Sequence, residues 1–138
     1  MARVGHRSVN NRAVIEIPLM PPSVNHYVVH PAAGVHRKSA AAKAFESAFG
    51  LFVRGEFCLS ASGRFSATLE FWPGPRGKGD VDNYNKLPLD CAATAGMLRD
   101  AKGKEKSDAW IKRLAVEIYD SDEQRLLGPK MRLTIEAL

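Results

Sequence analysis

A chain of 138 residues is long enough for one domain with a buried core, and 45% hydrophobic with 25% charged residues excludes bulk disorder. No apolar run approaches the ~20 residues of a membrane-crossing helix, and Met1 to Asn11 lack a signal-peptide core, so a cytoplasmic protein with no membrane partner is expected. The net charge of +5 favours a polyanionic partner, because neutralising phosphates drives nucleic-acid affinity.

In chain order, residues 1–12 are polar and basic without periodicity and read as a loose tail, leaving 13–138 as the folded domain. Ala13 to Leu19 carries Val14, Ile15, Ile17 and Leu19 and reads as a first strand, stopped by Met20-Pro21-Pro22-Ser23. Val24 to Lys38 is irregular. Ser39 is an N-cap for a helix through about Val53, with Ala44, Phe45, Ala48, Phe49 and Phe52 as its apolar stripe. Arg64 to Trp72 alternates, placing Phe65, Ala67, Leu69 and Phe71 on one face.

The loop Pro73 to Gly79 leads to Asp80. A helix follows, with Tyr84, Leu87, Cys91, Ala95 and Leu98 on one face and Asp82 or Asn83 as its N-cap; Pro88 either delays its start to Leu87 or distorts its first turn. Asp100 to Asp108 is a charged loop. Ala109 to Tyr119 returns to alternation, with Ile111, Leu114, Val116 and Ile118 as buried positions. Asp120 to Gly128 turns, and Lys130 to Leu138 ends the chain as an edge-like strand. The order β-α-β-α-β-β predicts a small α+β domain, with a mixed or antiparallel sheet of about four strands and two helices on one face.

The octapeptide Gly79-Asp80-Val81-Asp82-Asn83-Tyr84-Asn85-Lys86 carries the chemistry. Carboxylates at i and i+2 of an extended segment share a face, with Cα atoms about 6.5–7 Å apart, which suits oxygen donors sharing a hard cation such as Mg²⁺. Spacing alone is weak, since Asp120-Ser121-Asp122 repeats it in what reads as a solvated turn. Context separates the two pairs: the first follows a Gly-rich basic loop and precedes a helix N-terminus bearing Lys86, which could bind the scissile phosphate. Two-metal phosphodiesterases use three or four carboxylates. Asp90 lies eight residues beyond Asp82 on the helix and is expected to point elsewhere; Asp100 and Asp108 are the candidates for a third ligand.

Arg76 and Lys78 precede the pair, and Arg99, Lys102, Lys104, Lys106, Lys112 and Arg113 crowd the segment after the helix; basic charge on both flanks suits DNA binding. Cys58 and Cys91 lack metal-type spacing and read as buried thiols, and His6, His26, His30 and His36 show no ligand pattern.

The residues Asp80-Val81-Asp82-Asn83-Tyr84-Asn85-Lys86, followed by Asp90 and Ala95-Gly96-Met97-Leu98, resemble the D-[LV]-D-N-x-x-K…D…G-x-[LW] core of RusA-type Holliday junction resolvases. Ile17 through Tyr27 is similar to that family's opening strand and P-P-S-x-N-x-[YL] turn, and Asp108 through Tyr119 to the strand after its last acidic residue. The resemblance covers most of residues 14–136. It implies a homodimeric α+β endodeoxyribonuclease that nicks four-way DNA junctions in recombination and repair with Mg²⁺ or Mn²⁺. Its metal site would be Asp80, Asp82 and a third aspartate, with Lys86 as the essential lysine and Asn83 as a helix cap.

The chain departs from the family pattern at the third aspartate. Arg99-Asp100-Ala101 breaks the expected aspartate doublet, and Lys102-Gly103-Lys104-Glu105-Lys106-Ser107 stands as an insertion before Asp108. Counting from Gly96 favours Asp100, and counting back from the following strand favours Asp108. Asp108 is preferred, because a strand start is held more rigidly than a basic loop. The broken doublet, the insertion and Pro88 support an alternative, a non-catalytic nucleic-acid-binding module with a degenerate site. A domain whose basic loop binds an acidic protein is a third, weaker reading.

Overall fold

Residues 6–7, 12–22, 28–32, 35–53, 59–60, 64–77 and 84–138 are described by a computed structural model. Along the chain these form β1 (His6–Arg7), β2 (Arg12–Ile17), β3 (Val28–Ala32), β4 (Val35–Lys38), α1 (Ala40–Val53), β5 (Leu59–Ser60), β6 (Phe65–Trp72), α2 (Lys86–Thr94), β7 (Leu98–Arg99), β8 (Ile111–Ile118), α3 (Asp122–Arg125) and β9 (Lys130–Ala137). A 3₁₀ turn, Asp108–Trp110, leads into β8. Within the span expected to be a tail, His6 and Arg7 pair with Val14 and Ala13.

The main sheet is mixed, in the order β1-β2-β9-β6-β8, with β9 antiparallel to both neighbours and β8 parallel to β6. Its alternation builds one apolar face by register: Ile15 lies opposite Leu133, which lies opposite Leu69, and Ile17 opposite Met131, which lies opposite Phe71. Phe45, Phe49 and Val53 of α1 and Leu87, Cys91 and Ala92 of α2 complete that core. The α+β architecture with two helices on one face is as the sequence predicts. No helix among the described residues is long and apolar enough to cross a membrane.

The other face is polar. Arg132 reaches Glu70 at 3.3 Å and Glu16 at 3.7 Å, Lys130 reaches Glu16 at 3.2 Å, and Trp72 stacks on Tyr119 with ring centroids 4.6 Å apart. That asymmetry explains a correction. Lys130–Ala137 is not an edge strand but lies between β2 and β6, because alternation reports one wet and one dry face and says nothing about neighbours. The edge belongs to β8, where Leu114, expected to be buried, is 40% exposed.

Ser39 caps α1 as expected, its hydroxyl accepting from the Ala42 N–H at 3.1 Å. The buried stripe of α1 is Ala42, Phe45, Phe49 and Val53, so Ala44 is exposed and Ala48 and Phe52 are only half-buried. Pro88 occupies the first turn of α2, where backbone N–H groups have no intrahelical acceptor, so the helix starts at Lys86 without a break. Its N-cap position is Asn85 rather than Asp82 or Asn83. The helix ends before Leu98: Gly96 adopts φ +76°, and the Met97 N–H reaches back to the Ala92 carbonyl at 3.1 Å. With the Gly96 N–H on the Ala93 carbonyl at 3.0 Å, this closes a Schellman cap that turns the chain into β7.

Candidate active site

Lys86 opens α2 and Asp90 stands one turn further on, the i,i+4 spacing that puts both on one helix face. Lys86 Nζ lies 3.4 Å from Asp90 Oδ2. Asp108 arrives from the other side, at the head of the 3₁₀ turn that Ser107 caps by accepting from the Ala109 N–H at 3.3 Å. Its carboxyl hydrogen-bonds to that of Asp90. That contact, then burial and the charge of Asp90, push the Asp108 pKa above the ordinary carboxylate value, while the Lys86 ammonium works in the opposite direction.

Asp90 therefore faces Lys86 and Asp108, while its placement relative to Asp82 lies outside the described residues. The interval that places its carboxylate is the four residues from Lys86, not the eight from Asp82. Two carboxylates in contact require a proton or a cation between them. The pair supplies hard oxygen donors of the kind that suit Mg²⁺. Among the described residues no group of three or more His, Cys, Asp or Glu side chains is placed to hold a metal ion. Asp80, Asp82 and Lys78 lie outside the described residues, as does Asn83.

Asp100 is engaged differently. Its Oδ1 accepts from the Lys102 and Lys104 N–H groups, each at 2.9 Å, and its Oδ2 lies 3.5 Å from Lys106 Nζ. Those backbone bonds, led by Lys104, hold its pKa below the ordinary value against the effect of burial, with Lys106 adding to the lowering. Asp100 thus organises its own hairpin, in which the Asp100 N–H bonds the Lys104 carbonyl at 2.9 Å and the Lys106 N–H bonds Leu98 at 2.8 Å.

The insertion is this hairpin. Arg99 braces it through the carbonyls of Gly96 and Gly103 and the Glu105 carboxylate, and Lys106 lies 5.1 Å from the Trp110 ring centroid. Of the basic residues expected to face DNA there, Lys102 and Lys104 are exposed without a side-chain partner among the described residues, whereas Arg99 and Lys106 have intramolecular partners. Arg76 is exposed in the loop after β6.

No protein-family model matches the chain, and no curated protein matches it.

One long-range contact near the loop after β6 had no signal in the sequence. The Arg125 guanidinium donates to the carbonyls of Gly74 and Gly77, each at 2.8 Å, and to the Asp120 carbonyl at 3.0 Å. It ties the loop that delivers the chain toward Asp80 to the turn after β8. An arginine some fifty residues away in a polar turn cannot be matched to a glycine carbonyl by any spacing rule. Asp120 and Asp122, the second D-x-D pair, are exposed, and the Ser121–Gln124 capping box there starts α3, in keeping with the solvated turn expected of them.

Proposed function

We propose that this chain is a divalent-metal-dependent endodeoxyribonuclease of RusA type, a homodimer that nicks four-way or related branched DNA in recombination and repair. The observation that carries the reading is the meeting of Asp108 with Asp90 beside Lys86, at the start of the helix that directly follows Asp80-Val81-Asp82. Carboxylates separated by many residues in sequence converge with a cation at a helix N-terminus, where the backbone dipole also favours a phosphate.

Asp80, Asp82 and Asp108 would hold Mg²⁺ or Mn²⁺, with Asp90 fixing the orientation of Asp108 as a positioning residue. When bound, the metal would lower the pKa of a water and offset charge on the phosphoryl oxygens. Lys86 contributes its own part: its ammonium neutralises charge accumulating on the scissile phosphate and balances the crowded carboxylates. Lys102 and Lys104, exposed on the hairpin that leads into Asp108, would hold flanking phosphates and set affinity rather than rate.

Two features that favour a degenerate binding module are accommodated without damage to the helix bearing Lys86 and Asp90. Pro88 sits in its first turn, and the insertion folds into a braced hairpin. Cleavage of synthetic four-way, flap and linear duplex DNA with Mg²⁺ decides between the readings. The expected result is nicking of branched substrates, abolished in Asp82→Asn while that variant still shifts the junction in a gel. A salt-sensitive gel shift with no cleavage under any divalent metal would select the binding module.

A further inference from the structure

β8 closes the sheet on one side, and among the described residues nothing pairs with its outer edge. Lys112, Arg113, Leu114 and Ala115 are all exposed, on both faces of the strand, and so is Glu117. Through their partners on β6, Arg113 and Glu117 lie on the polar face, in register with Ser66 and Glu70. Leu114 and Val116 lie on the apolar face, in register with Ala67 and Leu69. An eight-residue strand without proline, with its outer edge unpaired by the described residues, is a template for another strand.

We propose that this edge pairs antiparallel with the β8 of a second copy, about a two-fold axis through Ala115. The register follows from the strand itself. The axis must pass through a residue rather than between two, or core-facing side chains of one copy would oppose polar-facing ones of the other. Centred on Ala115, it sets Arg113 opposite Glu117 of the second copy, twice by symmetry, and Leu114 opposite Val116. Centred on Leu114, it would set Arg113 opposite Ala115 and Glu117 opposite Ile111. Centred on Val116, it would set Glu117 opposite Ala115. Only the first arrangement pairs the opposite charges on one face while covering Leu114 on the other. Lys112 then falls opposite Ile118 at the rim, with its alkyl stem against the isoleucine. The two basic residues guard the edge against other strands, and Glu117 supplies the complement of Arg113 in this register.

The inference deepens the homodimeric part of the proposed function and rests on that reading, although its evidence is the strand alone. Opposed Cα atoms in an antiparallel pair lie about 4.5–5.5 Å apart, within the range a disulfide spans. Ala115→Cys should therefore oxidise to a covalent dimer under mild oxidant, where the parent and Ala101→Cys do not. In sedimentation equilibrium, Arg113→Glu and Glu117→Arg should each raise the dimer Kd on the order of tenfold, and the two together should restore it. A dimer that forms without cross-linking at Ala115 and ignores both reversals overturns this edge while leaving dimerisation intact. A parent that stays monomeric at all concentrations overturns both. Loss of metal-dependent nicking with the edge dimer intact counts against the catalytic reading only.

Discussion

Replacing Lys86 with methionine separates stability from chemistry. Lys86 is the first residue of α2, where the helix dipole disfavours a cation by about 0.3–1 kcal/mol. Its pair with Asp90 runs in the weaker order, lysine before acid, so at i,i+4 it contributes at most ~0.3–0.5 kcal/mol. The two side chains are 62% and 31% exposed, so water and salt screen the 3.4 Å contact further. These effects nearly cancel. Lys86→Met should change stability by less than about 0.5 kcal/mol, or roughly 2 °C in melting temperature for a domain of this size. The same change removes the cation that, among the described residues, opposes the raised Asp108 pKa, and with it the charge that would meet the phosphate. Nicking of a four-way junction at saturating protein should then fall about 10²–10³-fold, the usual cost of losing one electrostatic stabiliser. Thermal melting and single-turnover cleavage on one preparation give both numbers. A melting temperature lowered by more than about 5 °C would make Lys86 a structural residue. Cleavage within about threefold of the parent would remove it from the chemistry.

Three further outcomes follow from neighbouring features. Lys102→Ala with Lys104→Ala should weaken junction binding and flatten the slope of log K against log salt by about 1.8, two phosphate contacts at ~0.9 each, and an unchanged slope would clear the hairpin of phosphate contact. Gly96→Ala forces an alanine into φ +76°, with its Cβ about 2.8 Å from Glu105 Oε1 and 2.9 Å from Arg99 Nη2, both ends of flexible side chains. The backbone term should dominate, costing about 1 kcal/mol in a denaturant melt, and no measurable loss would contradict the cap. The Tyr119 hydroxyl lies 2.5 Å from Glu117 Oε2 and 2.8 Å from Glu70 Oε2, and those two carboxylates hold its pKa well above the ordinary value near 10. Because the folded value is the higher one, the contact's stabilisation is complete below pH about 10 and is lost as pH rises through the folded value. Tyrosinate absorbance should show a late ionisation that Tyr119→Phe abolishes, and a parent whose tyrosines all ionise near pH 10 would refute it.

The elements were legible where a single local rule decides them. Ser39 capped α1 because a hydroxyl beside orphan N–H groups acts locally, and Phe65 to Phe71 alternated because one face is dry. What the sequence withheld was adjacency. The same alternation in Met131, Leu133 and Ile135 serves a central strand, while β8, with Ile111, Val116 and Ile118 half-buried and Leu114 exposed, is the edge. At the candidate site, Asp108 heads a 3₁₀ turn, three residues before β8 rather than at a strand start, and the spacing that places Asp90 is its i,i+4 interval from Lys86, not its distance from Asp82. Asp100 matched one count of the motif equally well, and only its bonds to the Lys102 and Lys104 amides reveal a turn-forming role.

The most direct measurement compares Asp108→Asn with Asp100→Asn in Mg²⁺-dependent nicking of a synthetic four-way junction. Nicking should be lost in Asp108→Asn and kept in Asp100→Asn, with both variants folded and still binding the junction. Cleavage by Asp108→Asn at the parent rate, or its loss only in Asp100→Asn, would contradict a site built on Asp108, Asp90 and Lys86.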